Sequence, residues 1–493
     1  MIDRILPGLL AAALALPAAA AVLPPSPATP AAGLARFIKV PAGRIALTHV
    51  RVIDGTGAAP RADQTILIDA GRIVSVTPSR GKPPAGATII DMTGRTALPG
   101  LVGMHNHLFY MARPNTTAAT PRGEPLPLLP EMLFSSPRLY LANGLTTMRT
   151  TGSVEPDGDL GTKREIDAGR QPGPNIDMTA PYVEGAGSVF PQMPEITTAA
   201  GARAHVEYWA GRGATSFKIY NNVTLDVLKA TIDAAHARGI KVTGHLCSIT
   251  HPEAIDAGID NLEHGFYANT QLDPDKTADT CSASRGEATL LAMTPETPEA
   301  KALIASLVAH KVTLTSTLPV FEYGERAFPA ISAGAKAALS PQAQADLAVR
   351  ADAYAAAPEA RRAIQARRFA NEAALERAFV AAGGMMMAGP DPTGAGDVIP
   401  GFGDLHGIEL LVGAGFSAPE AIRIATLNGA RYLGLEGQIG SIEPGKHADI
   451  MIVAGDPATT IADIENVEIV FKDGIGWDSK ALLGSVAGRY GQY

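Results

Sequence analysis

The sequence predicts an α/β fold: a (β/α)8 TIM barrel beside a small β-sandwich domain built from N- and C-terminal segments. Its 493 residues are 46% apolar and 18% charged, which is typical of a chain with a large buried core. Short segments rich in Val, Ile, Leu and Thr alternate with helical patterns along the middle of the chain, as they do around parallel sheets. Histidine, lysine and aspartate residues stand where several of these segments end, and a barrel carries its chemistry at the carboxyl ends of its strands.

The N-terminus has the pattern of a secretory signal. Arg4 gives a weak positive region, residues 9–16 an apolar region, and residues 18–21 small side chains for cleavage. We expect a signal peptide over residues 1–22 and a flexible leader, rich in Pro and Ala, over residues 23–40. The apolar run is too short for a stable membrane span, so a periplasmic or secreted protein is expected.

Five β-rich segments broken by turn residues lie near the two ends of the remaining chain. They occupy residues 45–53, 64–69, 72–76, 447–457 and 467–476. We predict that these segments meet in one β-sandwich domain formed by residues 41–97 and 438–493.

The barrel is predicted over residues 98–437, with the first strand entering at LPGLVGMHNH. Its eight strands are placed at residues 98–107, 146–149, 176–182, 216–220, 240–245, 261–264, 312–317 and 384–389. Residues 225–238 form an amphipathic helical pattern that stops at Gly239. Residues 340–382 are rich in Ala, Arg and Gln, and predict helices inserted before the last strand.

Four histidines mark the ends of predicted barrel strands. His105 and His107 are two residues apart, so a strand places both side chains on one face. His245 and His264 end two later strands. Any one of these imidazoles could be a hydrogen-bonded core residue, but their joint position at strand ends favours a metal site, since neutral imidazole is the commonest zinc ligand.

Lys218 and Asp391 stand at two further strand ends. Lys218 lies in the apolar segment SFKIY, where a buried ammonium is costly. It could extend towards solvent at the rim, but we favour its reaction with CO2 to a carbamate that bridges two cations. Asp391 could cap an Asx turn before Pro392; we favour a metal ligand that also carries a proton.

Less specific signals concern the substrate and the cysteines. Arg149, at the end of the second strand, could contact a substrate carboxylate or form an ion pair inside the barrel. Tyr110 belongs to a long first loop and is a candidate substrate contact. Cys247 and Cys281 are the two cysteines; buried thiols or one disulfide are both compatible with an exported chain.

The motifs LPGLVGMHNHL, GLTTMRT, GATSFKIY, VTGH, NLEHG and AGPD, with the tail GSIEPGKHADIMIV, resemble the amidohydrolase superfamily. Within it, the sequence is similar to imidazolonepropionase-like proteins and to metal-dependent dipeptidases such as Xaa-Pro dipeptidases and ochratoxin-type amidases. The resemblance implies a barrel enzyme with two divalent metal ions, with zinc expected.

The resemblance also implies roles for individual residues. His105, His107 and Asp391 would bind one metal and His245 and His264 the other, with carboxylated Lys218 and a hydroxide bridging them. Tyr220, in the Lys-x-Tyr motif, would polarise the scissile carbonyl, so Asp391 and Tyr220 are the expected catalytic residues.

Three positions depart from the family pattern or leave it open. A Gly-Gly-His element of many relatives is replaced here by APYVEGAGSVF, and the usual Gly-Thr-Asp by Gly-Pro-Asp-Pro. His406 and Glu409 resemble family positions, but could equally be a polar pair on a helix face.

The function expected is hydrolysis of an amide bond in a small peptide or N-acyl amino acid by attack of the metal-bridging hydroxide. A lactonase, cyclic amidase or deaminase could use the same site, and a non-catalytic exported binding barrel is a third alternative. With 41 basic and 49 acidic residues, and a net charge of −8, affinity for nucleic acid is not expected. We expect a small-molecule or short-peptide substrate and a homo-oligomer.

Overall fold

The fold is described from a computed structural model. It covers residues 30–81, 84–111, 128–188, 190–322, 331–393 and 398–491. The predicted signal peptide and the first part of the predicted leader lie outside the described residues, as does most of the long first loop.

The last part of the predicted leader has regular structure. Ala32–Phe37 forms a 3-10 helix whose Leu34 and Phe37 are buried. The strand that follows pairs antiparallel with Ile475–Asp478. A flexible leader over residues 23–40 is therefore contradicted for residues 32–40, because their apolar side chains pack into the core.

Six strands precede the barrel segment. They are β1 (Ile38–Val40), β2 (Ile45–Val52), β3 (Arg61–Asp69), β4 (Arg72–Pro78), β5 (Thr88–Asp91) and β6 (Arg95–Pro99). Most of β2 and β3 is antiparallel, with Ile45 opposite Ile68 and Leu47 opposite Ile66. These inward side chains are fully buried, as expected for branched apolar residues on one face of a sheet.

Eight parallel strands follow, in the order that the sequence predicts. They are β7 (Leu101–Asn106), β8 (Leu145–Thr150), β9 (Asn175–Met178), β10 (Ser216–Ile219), β11 (Lys241–Gly244), β12 (Asn261–Glu263), β13 (Thr313–Ser316) and β14 (Met386–Ala388). β8 extends one residue beyond its predicted segment at each end, and the other seven strands are shorter than their predicted segments. They form two parallel ladders, β7-β8-β9 and β10-β11-β12-β13-β14.

The two ladders meet at both of their edges. Isolated parallel bridges link Thr179 to Ser216 and Val183 to Ile219, which joins β9 to β10. At the other edge, the backbone N–H of Asp391, just beyond β14, donates to the carbonyl of His105 on β7 at 3.1 Å. The architecture is thus α/β, with parallel strands whose carboxyl ends converge on one side.

Three C-terminal strands complete the sheet begun by the N-terminal segment. They are β15 (Ile450–Ala454), β16 (Val467–Lys472) and β17 (Ile475–Asp478). The strand order is β1-β17-β16-β15-β6-β2-β3-β4, with β5 also paired to β2. Opposite ends of the chain therefore share one nine-stranded mixed sheet. Where the sequence predicted a β-sandwich, the structure has this single sheet, in which hydrogen bonds connect all nine strands.

Helices surround and connect the parallel strands. They are α1 (Ser135–Ala142), α2 (Pro156–Asp167), α3 (Ala199–Gly211), α4 (Leu225–His236), α5 (His251–Asp256), α6 (Glu287–Ala292), α7 (Pro298–Ala309), α8 (Leu318–Phe321), α9 (Ala333–Ala338), α10 (Pro341–Ala355), α11 (Glu359–Ala381), α12 (Phe402–Gly413), α13 (Ala418–Ala425), α14 (Leu427–Tyr432) and α15 (Ser479–Ser485). Helix α4 begins at a Thr224 cap whose side chain accepts from Val227 N–H. The predicted helical insertion before the last strand is confirmed by α10 and α11. Within the described part of the chain, no helix is long and apolar enough to cross a membrane.

Candidate metal centre

His105 and His107 lie at the end of β7 and are almost completely buried. Their Nε2 atoms lie 3.5 and 3.2 Å from Oδ1 of Asp391. Asn106 between them points to the other face, where its Nδ2 donates to Oδ1 of Asp404 at 3.0 Å. The alternation of a strand therefore directs both imidazoles to the same site, as predicted.

Asp391 reaches this site because β14 approaches β7 very closely. A Cβ added to Gly389 would lie 2.1 Å from the backbone nitrogen of His105, so only glycine fits there. Asp391 itself has a φ of 57°, in the left-handed region that a non-glycine residue rarely adopts. Such backbone conformations are concentrated at functional sites.

Lys218 on β10 points into the same cluster. Its Nζ lies 3.2 Å from Nε2 of His105, and the residue is 1% exposed. Burial lowers the pKa of Lys218 to about 8. Rings of Tyr182 and Tyr220 flank the ammonium group, with their centroids 5.2 and 5.8 Å from Nζ.

The remaining two histidines, His245 and His264, pack beside this group with their rings tilted or edge-on. The ring of His264 lies 4.5 Å from that of His105 and 4.3 Å from that of His245. His264 has a φ of 66° and bonds Oγ1 of Thr317 through Nδ1 at 2.8 Å. Its Nε2 is buried and has no hydrogen-bond partner among the described residues, so the donor that it offers fits a cation.

The donor set fits a divalent cation. Ligand atoms of His105, His264 and Asp391 lie within 4.8 Å of one another. Burial and the charge of Lys218 lower the pKa of His105 to about 4, so this imidazole is neutral at physiological pH, as a metal ligand must be. Burial acts to raise the pKa of the Asp391 carboxyl, but His105 and His107 outweigh it and hold the pKa well below its usual value.

Glu263 is a site residue that the sequence reasoning missed. Its carboxylate is fully buried, accepts from Nδ1 of His105 at 2.7 Å and also accepts from Thr243. Arg149 donates to the other oxygen at 2.6 Å. Burial would raise the pKa of Glu263, but Arg149 and His105 lower it below its usual value. The motif NLEHG could have revealed Glu263, because strand alternation turns residues 261 and 263 to the same inward face.

Arg149 and Tyr110, the two candidate substrate contacts, are both buried. Arg149 is fully buried below the histidines and forms the ion pair with Glu263, the alternative to a substrate contact. Tyr110 is 1% exposed and packs edge-on against Tyr490, with ring centroids 5.3 Å apart. The structure therefore places neither side chain open to a ligand, because each is enclosed by the core of the fold.

Tyr220 does lie beside the cluster. Its ring is 4.9 Å from that of His245 and 5.0 Å from that of Tyr182. Burial raises the pKa of Tyr220, so its hydroxyl stays protonated and can donate a hydrogen bond. Tyr182 belongs to the APYVEGAGSVF segment, which stands in place of the Gly-Gly-His element, and its ring lies next to Lys218.

The cysteines and His406 have defined partners in the structure. Cys247 and Cys281 form a disulfide with a Cα–Cα distance of 4.8 Å. His406 on α12 bonds Glu409 of the same helix at 2.9 Å and Glu322 at the end of α8 at 2.6 Å.

Residues 96–475 match the model of the amidohydrolase family. This match spans well over half of the 493 residues, so the chain belongs to the amidohydrolase family. The resemblance stated from the sequence motifs is thereby confirmed.

Individual relatives match shorter stretches. Adenine deaminase 2 of Jannaschia sp. (strain CCS1) is 36% identical over 70 residues, 14% of this chain and 11% of the relative. Allantoinase of Streptomyces avermitilis is 30% identical over 129 residues, 25% of each chain. The chain thus spans at most 25% of the length of these two curated relatives.

A solved structure extends the likeness to the whole fold. A Xaa-Pro dipeptidase with bound methionine in its active site has a TM-score of 0.65 at 20% identity, over 88% of this chain and 100% of that one. At this identity the likeness shows the shared fold alone. Together with the family match, the relatives support a hydrolytic enzyme that acts on carbon–nitrogen bonds.

Proposed function

We propose that the protein hydrolyses an amide bond in a small peptide or N-acyl amino acid, using two divalent metal ions, most simply zinc. The observation that carries this proposal is the convergence of the predicted ligands from five different strands on one buried cluster. One catalytic zinc needs three protein ligands, and this cluster offers twice that number.

The residues divide between two ions. His105, His107 and Asp391 would hold one, and His245 and His264 the other. Lys218 would lie between them as a carbamate, formed when its neutral amine adds to CO2 and releases a proton. When bound, the ions would supply an activated water molecule and polarise the scissile carbonyl.

Two side chains would carry out the proton transfer and hydrogen bonding. Asp391 would accept the proton of the attacking water and return it to the leaving amine, which departs neutral. Its side chain is 17% exposed and contacts the imidazoles of His105 and His107. Tyr220 would donate to the carbonyl oxygen as negative charge develops there.

Aromatic side chains make the cluster suited to a compact substrate with an apolar part. Phe109 stacks on His107 with ring centroids 4.5 Å apart, and Phe321 lies edge-on to His264 at 5.4 Å. The ring of Tyr267 stacks on that of Phe321 with centroids 3.7 Å apart and extends the aromatic surface beside His264. Such a setting favours an acyl-amino acid or dipeptide over a polymer.

A second candidate is hydrolysis of a cyclic amide, or deamination, at the same site. The short matches to an allantoinase and an adenine deaminase favour it. Both candidates use the same metal ligands, so they differ only in the substrate that the loops admit.

The experiment is a panel of dipeptides, N-acyl amino acids, cyclic amides, lactones and aminopurines, assayed with zinc-loaded protein. We expect about two ions per chain by elemental analysis and fastest turnover on a linear amide. His264→Ala should lose metal and activity, whereas exposed His310→Ala should retain both. Less than one metal per chain after full reconstitution would refute the binuclear site; turnover restricted to cyclic or purine substrates would establish the second candidate instead.

Three further expectations accompany this proposal. We propose that the eight parallel strands constitute a closed (β/α)8 barrel, which is supported by the contacts at both ladder edges. Export to the periplasm or medium is proposed from the signal-like N-terminus, and fractionation of cells expressing the full chain tests it. The homo-oligomer stays a prediction, to be checked by light scattering.

A further inference from the structure

A cleft remote in sequence from the metal ligands brings together several arginines. It has a volume of about 500 Å³ and lies between the N-terminal 3-10 helix, the start of α1 and the C-terminal helix α15. Its lining residues are Arg36, Phe37, Phe134, Ala481, Gly484, Ser485 and Arg489. Arg138, one turn into α1, lies directly behind this lining and is 8% exposed.

Among the described residues, no carboxylate pairs with the arginines of this cleft. Burial, together with the positive charges of Arg36 and Arg489, lowers the pKa of the Arg138 guanidinium to about 10. Elsewhere on the surface, arginines such as Arg361 and Arg170 do pair with glutamates.

Aromatic rings hold the guanidinium groups in place. Arg138 and Arg489 both lie over the ring of Phe134, at 3.9 and 5.3 Å from its centroid, and Arg36 lies over Phe37 at 4.7 Å. Arg138 is fixed further, because its Nη1 donates to the carbonyl of Phe134 at 2.6 Å. Its buried Nε has no hydrogen-bond partner. The arginines are thus oriented before any ligand arrives, which reduces the entropy lost on binding.

Arg36 and Arg489 are exposed while Arg138 is buried, and an anion bound between them would offset the repulsion of the three like charges. Planar guanidinium groups match the oxygens of phosphate in pairs. We propose that this cleft is a binding site for a phosphate group, either as a free phosphate species or as an anionic lipid headgroup. The site is separate from the proposed amide hydrolysis and does not depend on it.

The test is titration calorimetry of metal-loaded, full-length protein with inorganic phosphate at constant ionic strength. Arg36→Gln and Arg489→Gln change accessible side chains and are expected to weaken binding at least tenfold each. Arg203→Gln, which removes the same charge from the exposed side of α3, should bind like the wild type. Because phosphate also binds metal ions, the comparison is between variants whose metal content and amide hydrolysis are unchanged.

A parallel arm distinguishes the two sources of phosphate. Sedimentation with phosphatidylglycerol-containing vesicles, and with phosphatidylcholine vesicles as control, is measured for the same variants. Vesicle binding that is lost in Arg36→Gln and Arg489→Gln supports a lipid headgroup, and loss of calorimetric binding alone supports a free phosphate. The proposal is overturned if the wild type binds neither probe, or if the cleft variants bind as tightly as Arg203→Gln.

Discussion

The imidazole of His105 and the carboxylate of Glu263 form a buried hydrogen bond of 2.7 Å across 158 residues of sequence. Glu263 is ionised and can only accept, so Nδ1 of His105 must carry the proton. The Nε2 lone pair of the same ring is then directed towards Lys218 and Asp391. Glu263, itself held by Arg149, thereby selects the tautomer of His105 that can bind a metal.

Glu263→Gln is expected to lower metal affinity or turnover by about 10- to 100-fold, the usual effect of removing such a partner. The amide can still accept from His105, but it carries no charge to compensate Arg149. Metal affinity is measured by competition with a chelator, and the melting temperature shows whether the variant folds. Glu468→Gln, which removes a surface partner of Arg95, is the control. Equal metal affinity in both variants would contradict the role of Glu263.

Lys218→Ala is expected to abolish activity and to reduce occupancy of both ions, because it removes the proposed bridge. Elemental analysis measures the metals, and added bicarbonate or a short carboxylate should partly restore activity. Lys163→Ala, which alters a surface pair with Asp167, controls for loss of a lysine. Full metal content in Lys218→Ala would exclude the bridge.

His406 is expected to make the stability of the protein depend on pH. Burial lowers the pKa of His406, but its hydrogen bonds to Glu322 and Glu409 outweigh this and raise it to about 9. The protonated imidazole is bound more tightly in the folded state, so its contribution is complete below the ordinary pKa of about 6.5 and is lost as pH rises through 9. The difference in melting temperature between wild type and His406→Gln should therefore shrink from pH 6 to pH 10. A difference independent of pH would contradict this linkage, and His310→Gln serves as control.

The sequence predicted the order of the strands, and which side chains come together at their ends, better than it predicted what surrounds those side chains. Strand alternation and loop positions are local properties, so His105, His107 and Lys218 could be assigned to one side of the sheet. The burial of Arg149 depends on which residues face it from β12, which is a tertiary property. Tyr110 was assigned by its loop, whereas its packing against Tyr490 joins opposite ends of the chain. The order within residues 32–40 is also a tertiary property, because β1 pairs with β17 from the other end of the chain.

Tyr220→Phe tests the proposed donor to the developing oxyanion. Its turnover is expected to fall about 10²-fold, the scale measured for loss of one such donor. The metal content should not change, since the ring still packs between Tyr182 and His245. Tyr208→Phe changes a tyrosine that is 56% exposed and should leave turnover intact. Full activity of Tyr220→Phe on the best substrate would reduce Tyr220 to a packing residue.

Asp391→Asn separates the two proposed roles of Asp391. An amide keeps the shape and one oxygen of the carboxylate, but it does not accept the proton that the reaction must move. Turnover is therefore expected to fall by about 10²-fold or more, while metal content falls less than in Lys218→Ala. Single-turnover kinetics and elemental analysis are measured on the same preparation, so that loss of metal is distinguished from loss of proton transfer. If Asp391→Asn retains near-normal turnover, another group carries the proton. His406→Gln in that background then tests the imidazole of His406, whose bonds to Glu322 and Glu409 would have to open for it to act.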